Sequence, residues 1–217
     1  MENTQLISNT IRFVKTQLAQ AESGHDWFHI ERVYKNALLI AQEENCNLTI
    51  VKLAALLHDI ADSKFHDGDE AIGPRTAQFF LESQQVDPTI IANVVQIIEN
   101  ISFKGGNVSA TFASIELNIV QDADRLDAIG AIGIARTFNY GGFKNRLLFD
   151  PSIPPVLNQS KEAYKKSTAP TLNHFYEKLL LLKDKMHTER GKKMAVKRHH
   201  FMELFLSEFY AEWDCEI

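Results

Sequence analysis

An all-α fold is expected from three features of the chain. Apolar residues recur at steps of three and four in segment after segment, several segments open on cap residues, and sustained period-two alternation with hairpin turns is missing. The first stripe lies near 5–20. The second runs through Ile30, Val33, Tyr34, Ala37, Leu38 and Ala41, one face of a helix expected over 29–44. Thr49 is a candidate cap for a helix bearing Val51, Leu53, Ala54, Leu56 and Leu57. A stripe near 74–85 follows, and Asp87-Pro88 then reads as a cap plus proline at the first helical position. That pair opens Ile91, Val94, Val95, Ile98 and Ile101. Further stripes lie near 114–122, 126–138, 171–186 and 192–212, giving about eight to ten helices.

Loops are expected at 102–111, which contains Gly105-Gly106-Asn107, and at 141–158, which contains Gly141-Gly142, Pro151, Pro154 and Pro155. The expected organisation is one domain over 1–217, a compact helical bundle with a C-terminal helical pair over about 170–217. Gly130 and Gly133 interrupt a helical stripe and are read as points of close helix packing.

Composition narrows the classes. The 217 residues are 45% hydrophobic and 24% charged, an ordinary soluble balance that disfavours disorder. No apolar run approaches the length of a membrane span, and the N-terminus has no basic-then-apolar leader pattern. Cys46 and Cys215 form no CxxC pair and no disulfide framework, so a cytoplasmic location is expected. A net charge of −5 gives no general basic field, so nucleic acid is not the expected partner. A phosphate-bearing substrate would need a metal or local positive charge.

Candidate chemistry converges on four residues. His58-Asp59 ends the apolar run Lys-Leu-Ala-Ala-Leu-Leu, where a buried imidazole and carboxylate both need partners. A divalent ion meets both needs. Imidazole with carboxylate suits manganese, iron, cobalt, nickel or zinc, and carboxylate with water suits magnesium. His29 precedes an apolar stripe on the polar side of its helix, and Asp124 lies where a hydrophobic helix carries Asp122, Asp124 and Asp127. Three helices each delivering ligands to one point is how metal sites are built in bundles. A lone helical histidine is most often structural; the conjunction of the four residues raises the functional reading.

The order His, His-Asp, Asp on successive helices resembles the HD-domain phosphohydrolase superfamily. Longer segments carry the resemblance to one bacterial branch: His-Asp-Trp-Phe-His-Ile-Glu-Arg-Val (25–33), Leu-Ala-Ala-Leu-Leu-His-Asp-Ile-Ala-Asp (53–62) and Ile-Glu-Asn-Ile-Ser-Phe-Lys-Gly-Gly (98–106). The segment Ile-Val-Gln-Asp-Ala-Asp-Arg-Leu-Asp-Ala-Ile-Gly-Ala-Ile-Gly-Ile-Ala-Arg (119–136) adds a fourth. The resemblance spans about 20–155 and implies a helical bundle holding one divalent metal through His29, His58, Asp59 and Asp124. Manganese is the first choice. That branch is similar to phosphohydrolases that include nucleoside triphosphate pyrophosphohydrolases.

The same resemblance places an acid at Asp62, three residues after Asp59, where on a continuing helix it would share a face and assist an attacking water. The alternative is a helix-ending carboxylate. Arg32, Lys64, Lys104 and Arg125 are candidate phosphate clamps, each with a surface ion pair as its alternative. Arg125 has a further alternative, pairing with Asp122 or Asp127. His25 is a candidate contact near His29, and His66 reads as loop surface.

The basic run Arg190, Lys192, Lys193, Lys197, Arg198, His199 and His200 reads as a solvated helix face, with Phe201, Phe205 and Phe209 at core spacing. The leading function is hydrolysis of a nucleotide phosphoanhydride, triphosphate to monophosphate plus pyrophosphate. Alternatives are a nucleotide monophosphatase or phosphodiesterase on the same metal, or a non-catalytic nucleotide sensor. A two-iron oxygenase would need more histidines between His58 and Asp124 than His66 alone. Homodimerisation stays open.

Overall fold

The computed structural model describes residues 3–19, 26–60, 71–101, 112–160, 163 and 167–216. Among them there is no strand, and the α-helices are α1 (Asn3–Gln17), α2 (Trp27–Ala41), α3 (Leu48–Leu57), α4 (Ile72–Ser83), α5 (Pro88–Asn100), α6 (Ile115–Asp127), α7 (Gly130–Phe143), α8 (Asn173–Glu177) and α9 (Glu189–Trp213). Contacts divide the chain into two compact units, Met1–Asp124 and Arg125–Ile217. The division falls within α6, ahead of the proline-bearing stretch at 150–170.

In the first unit α3 is the central helix. Val51 and Leu53 to Leu57 are sealed from water, and α1, α2 and α5 pack around them. A helix that is apolar all round has to be enclosed, and each buried leucine contributes about 1.5–3 kcal/mol. Phe13 of α1 stacks on Phe80 of α4 with ring centroids 4.1 Å apart. Asp87 caps α5 as expected, accepting from the Thr89 N–H at 2.8 Å, with Pro88 in the first turn. The cap of α3 is Asn47 rather than Thr49. Its side-chain oxygen accepts from Thr49 at 3.0 Å and Ile50 at 3.3 Å, and its extended backbone (φ −78°, ψ 101°) suits the cap position. α2 begins at Trp27, two residues before the expected start, because Asp26 caps it by accepting from the His29 N–H at 3.0 Å.

In the second unit α9 packs on α7. Gly141 and Gly142 belong to α7 rather than to a loop, and a Cβ on Gly141 would lie 2.1 Å from the Thr171 hydroxyl oxygen. Close approach, not a turn, is what requires glycine there. The stripe expected to be one helix over 171–186 is α8 followed by two 3₁₀ turns, Leu179–Leu181 and Lys183–Lys185. Three-residue turns still place Leu179 and Leu182 on the buried side, so the apolar pattern is kept while the helix type changes. Thr188 caps α9 by accepting from the Gly191 N–H at 3.0 Å. The core here is aromatic: Phe138, Phe175 and Phe205 lie within 6.0 Å of one another by ring centroid. Phe209 adjoins Phe205, but Phe201 is 49% exposed, a departure from its expected core place. Steps of four rotate about 40° past each full turn, which carries Phe201 off the buried stripe.

Burial pushes the partly buried His174 imidazole down to about 3, with repulsion from Lys178 and Arg146 adding to it. The unfolded chain takes up that proton near 6.5, whereas the fold resists it down to about 3. Stability should therefore fall by up to about 1.4 kcal/mol per unit as pH drops through that window. His174→Gln is expected to flatten the dependence of melting temperature on pH below neutrality. A slope equal to that of the wild type would contradict it.

Candidate metal centre

α2, the turn that closes α3 and the first-unit part of α6 bring the four predicted residues together. His29 occupies the first turn of α2, where the Asp26 cap fixes its backbone, and it is buried rather than on a polar face. His58 is the C-cap of α3. Its Nδ1 lies 3.0 Å from the Ala55 carbonyl oxygen. A carbonyl only accepts, so Nδ1 carries the proton and donates, and Nε2 presents a bare lone pair. That Nε2 is buried and has no hydrogen-bond partner.

Asp124 supplies the third side. Its Oδ1 is 3.5 Å from His29 Nε2 and 3.9 Å from His58 Nε2. The two imidazoles meet edge to face with centroids 5.4 Å apart. One ligand atom from each of His29, His58 and Asp59 lies within 4.8 Å of the others. Gln121 donates to the Asn100 carbonyl at 2.9 Å, which ties α6 to the end of α5 and holds the Asp124 turn in place.

The donor set fits a divalent cation. Burial pushes the His58 imidazole below its usual range, opposed by the Asp124 carboxylate and reinforced by His29, so the ring is neutral at pH 7. An unmet buried acceptor costs about 1–3 kcal/mol, and a cation facing Nε2 removes that cost. Two imidazoles with two carboxylates would suit a divalent metal, with the backbone carbonyl behind His58 orienting its ring.

Other predicted residues are placed less uniformly. Arg32 is half-buried on α2, one turn beyond His29. Arg125 donates to the Lys185 carbonyl. Asp62, Lys64, Lys104, His25 and His66 lie outside the described residues. The helical-spacing argument for Asp62 does not hold, because α3 ends at Leu57 and residues 58–60 form a turn. Asp127 is buried and ion-paired with Arg136 at 2.5 Å, so it serves the fold, while Asp124 faces the histidines. Much of the basic run on α9 is a solvated face, on which Lys192 meets Glu189 at 2.8 Å, but the His199 side chain is largely buried and its Nε2 lies 3.2 Å from Glu203. Arg198 departs from that face and donates to the Leu126 carbonyl. No spacing rule joins Asp127 to Arg136 or Leu126 to Arg198, so the sequence carried no sign of either contact.

A model of the HD domain matches residues 27–129, the stretch that contains all four residues. The chain is also 36% identical over 201 residues to YpgQ of Bacillus subtilis, spanning 90% of this chain and 88% of that one. The chain belongs to the HD-domain family. This HD-domain chain is similar over 98% of both chains to an HD-superfamily hydrolase from Bacillus thuringiensis, at 45% identity and a TM-score of 0.78. A Lactobacillus plantarum protein matches 99% of this chain and 100% of its own at 33% identity, with a TM-score of 0.83. The structure of Bacillus subtilis YpgQ in complex with ADP covers 98% and 97% at 31% identity, with a TM-score of 0.74. An HD-superfamily hydrolase of a metal-dependent phosphohydrolase family is thus the identity these likenesses support. Among the described residues no helix of this HD-domain protein is long and apolar enough to cross a membrane.

Proposed function

We propose that this HD-domain protein hydrolyses a nucleoside triphosphate to a monophosphate and pyrophosphate, with one divalent ion held by His29, His58, Asp59 and Asp124. The observation that carries the metal reading is the His58 imidazole, whose Nδ1 is committed to the Ala55 carbonyl and whose buried Nε2 has no partner. Manganese is the proposed occupant, because it accepts carboxylate oxygen readily and imidazole as well, with magnesium, cobalt, nickel, iron or zinc as the alternatives. Bound there, such an ion supplies Lewis acidity toward a phosphoryl oxygen and lowers the pKa of water.

The chain's own residues do the rest. His29 and His58 present nitrogen donors, and Asp59 and Asp124 are proposed to supply negative charge. Asp62 is proposed as the proton acceptor for the attacking water, on the resemblance of its motif. Arg32, Lys64 and Lys104 are proposed to clamp the phosphates, and a triphosphate offers more charge for them than a monophosphate does. For Arg125 a phosphate contact would compete with its bond to the Lys185 carbonyl. The ADP bound by YpgQ supports a nucleotide as the ligand class.

Incubation of the manganese-loaded protein with a nucleotide panel, with separation of products, tests the reading. Monophosphate and pyrophosphate in equal amounts are expected. Orthophosphate alone would replace it with a phosphatase, and tight nucleotide binding without turnover would replace it with a sensor.

A further inference from the structure

We infer that Arg198 of α9 is a positioning residue for the metal site, acting on Asp124 through the last turn of α6. This role rests on Asp124 being a ligand, as proposed above. α6 ends at Asp127, and the final carbonyls of a helix have no intrahelical donors. Three arginines act on this end. Arg198 donates to the Leu126 carbonyl, and Arg136 reaches both the Asp127 carbonyl at 3.2 Å and its carboxylate at 2.5 Å. Arg125 donates outward to the Lys185 carbonyl. All of these contacts lie within Arg125–Ile217, and α6 carries their effect into Asp124 along one continuous helix.

The last turn needs such support. It closes with the short-range bonds Ala128 N–H to Arg125 carbonyl at 3.1 Å and Ile129 N–H to Leu126 carbonyl at 3.4 Å, the second of them long. Gly130 follows at once in the left-handed region, φ +75°. A helix end without donors for its last carbonyls would fray, and fraying would turn the Asp124 carboxylate away from the histidines. A guanidinium at a helix C-terminus is favoured by the helix dipole as well as by the hydrogen bond.

Gly130 also explains why the arginine can come from α9. A Cβ on Gly130 would sit 3.0 Å from both Cβ and Cγ of Arg198, so the bare Cα is the surface on which the arginine stem lies. Two independent demands, a positive φ and room for Arg198, fall on the same glycine.

Calorimetric titration of manganese into the metal-free full-length protein tests the role, alongside melting temperatures. Arg198→Gln is expected to weaken manganese binding about tenfold, the lower end for groups that orient metal ligands, and Arg198→Lys, which keeps the charge, by about threefold. Phe205→Leu, in the aromatic core of the same unit, should lower the melting temperature and leave manganese affinity unchanged. Asp124→Asn should lose most binding. A wild-type protein that binds no manganese would overturn the metal reading and this role with it. Wild-type affinity in either Arg198 variant, with Asp124→Asn impaired, would overturn the positioning role alone. Equal weakening in Phe205→Leu would also overturn it, since the effect would then be general destabilisation. Should Arg198→Gln fail to fold, Arg198→Lys decides.

Discussion

His58→Ala is expected to lower turnover by on the order of 1,000-fold or more and to remove most metal binding. Three factors of ten correspond to about 4 kcal/mol, within the several kcal/mol that a Lewis-acid metal contributes to a phosphoryl transition state. His58 loses two things at once: the Nε2 lone pair facing His29 and Asp124, and the Nδ1 bond that fixes the ring on the Ala55 carbonyl. Stability provides a second readout. A ligand at 100 times its dissociation constant stabilises a fold by about 2.7 kcal/mol, so manganese should raise the wild-type melting temperature and leave that of His58→Ala nearly unmoved. Asp59→Ala is expected to behave alike. Turnover at the wild-type rate in either variant would show that the metal lies elsewhere.

Asp62→Asn is the second large effect, a fall in turnover of about 100-fold with manganese affinity kept, the usual scale for general acid–base assistance. The substitution preserves shape and removes only the proton acceptor. With α3 ending at Leu57, the expectation rests on the family motif Leu-Leu-His-Asp-Ile-Ala-Asp and not on helical spacing. The separation of rate from affinity is the informative part. A variant with an unaltered rate would make Asp62 a structural carboxylate, and one that loses manganese would make it a ligand.

The candidate site was legible because its residues sit at boundaries between apolar and polar sequence. His58-Asp59 closes the most hydrophobic helix, and Asp124 follows Ile119 and Val120, which are fully buried. Such transitions mark the places where a polar group must enter a core. The family motif then supplied the order of the ligands. The fold class was legible for the same reason, since a period near 3.6 survives even where α8 gives way to 3₁₀ turns.

What stayed hidden is long-range and backbone-directed. Arg198 reads in sequence as one more charge on a basic face, and only a carbonyl far along the chain turns it inward. The cap at Asn47 was missed because Thr49, two residues on, is also a good capping type; which one caps depends on the backbone angles at Asn47. Gly141 read as a turn because a glycine pair commonly makes one. Its real partner, Thr171, lies thirty positions away.

The distance along the chain between His29 and Asp124 has a kinetic consequence. Contacts between residues this far apart in sequence form late, after loop closure has brought α6 against the earlier helices. An ion held by all four side chains, as proposed above, would meet its site only when folding is nearly complete. It therefore stabilises the native state more than the transition state, and its contribution appears in the unfolding rate rather than the folding rate. Metal loading of this protein would lengthen the life of the folded molecule while leaving the speed at which it is made unchanged.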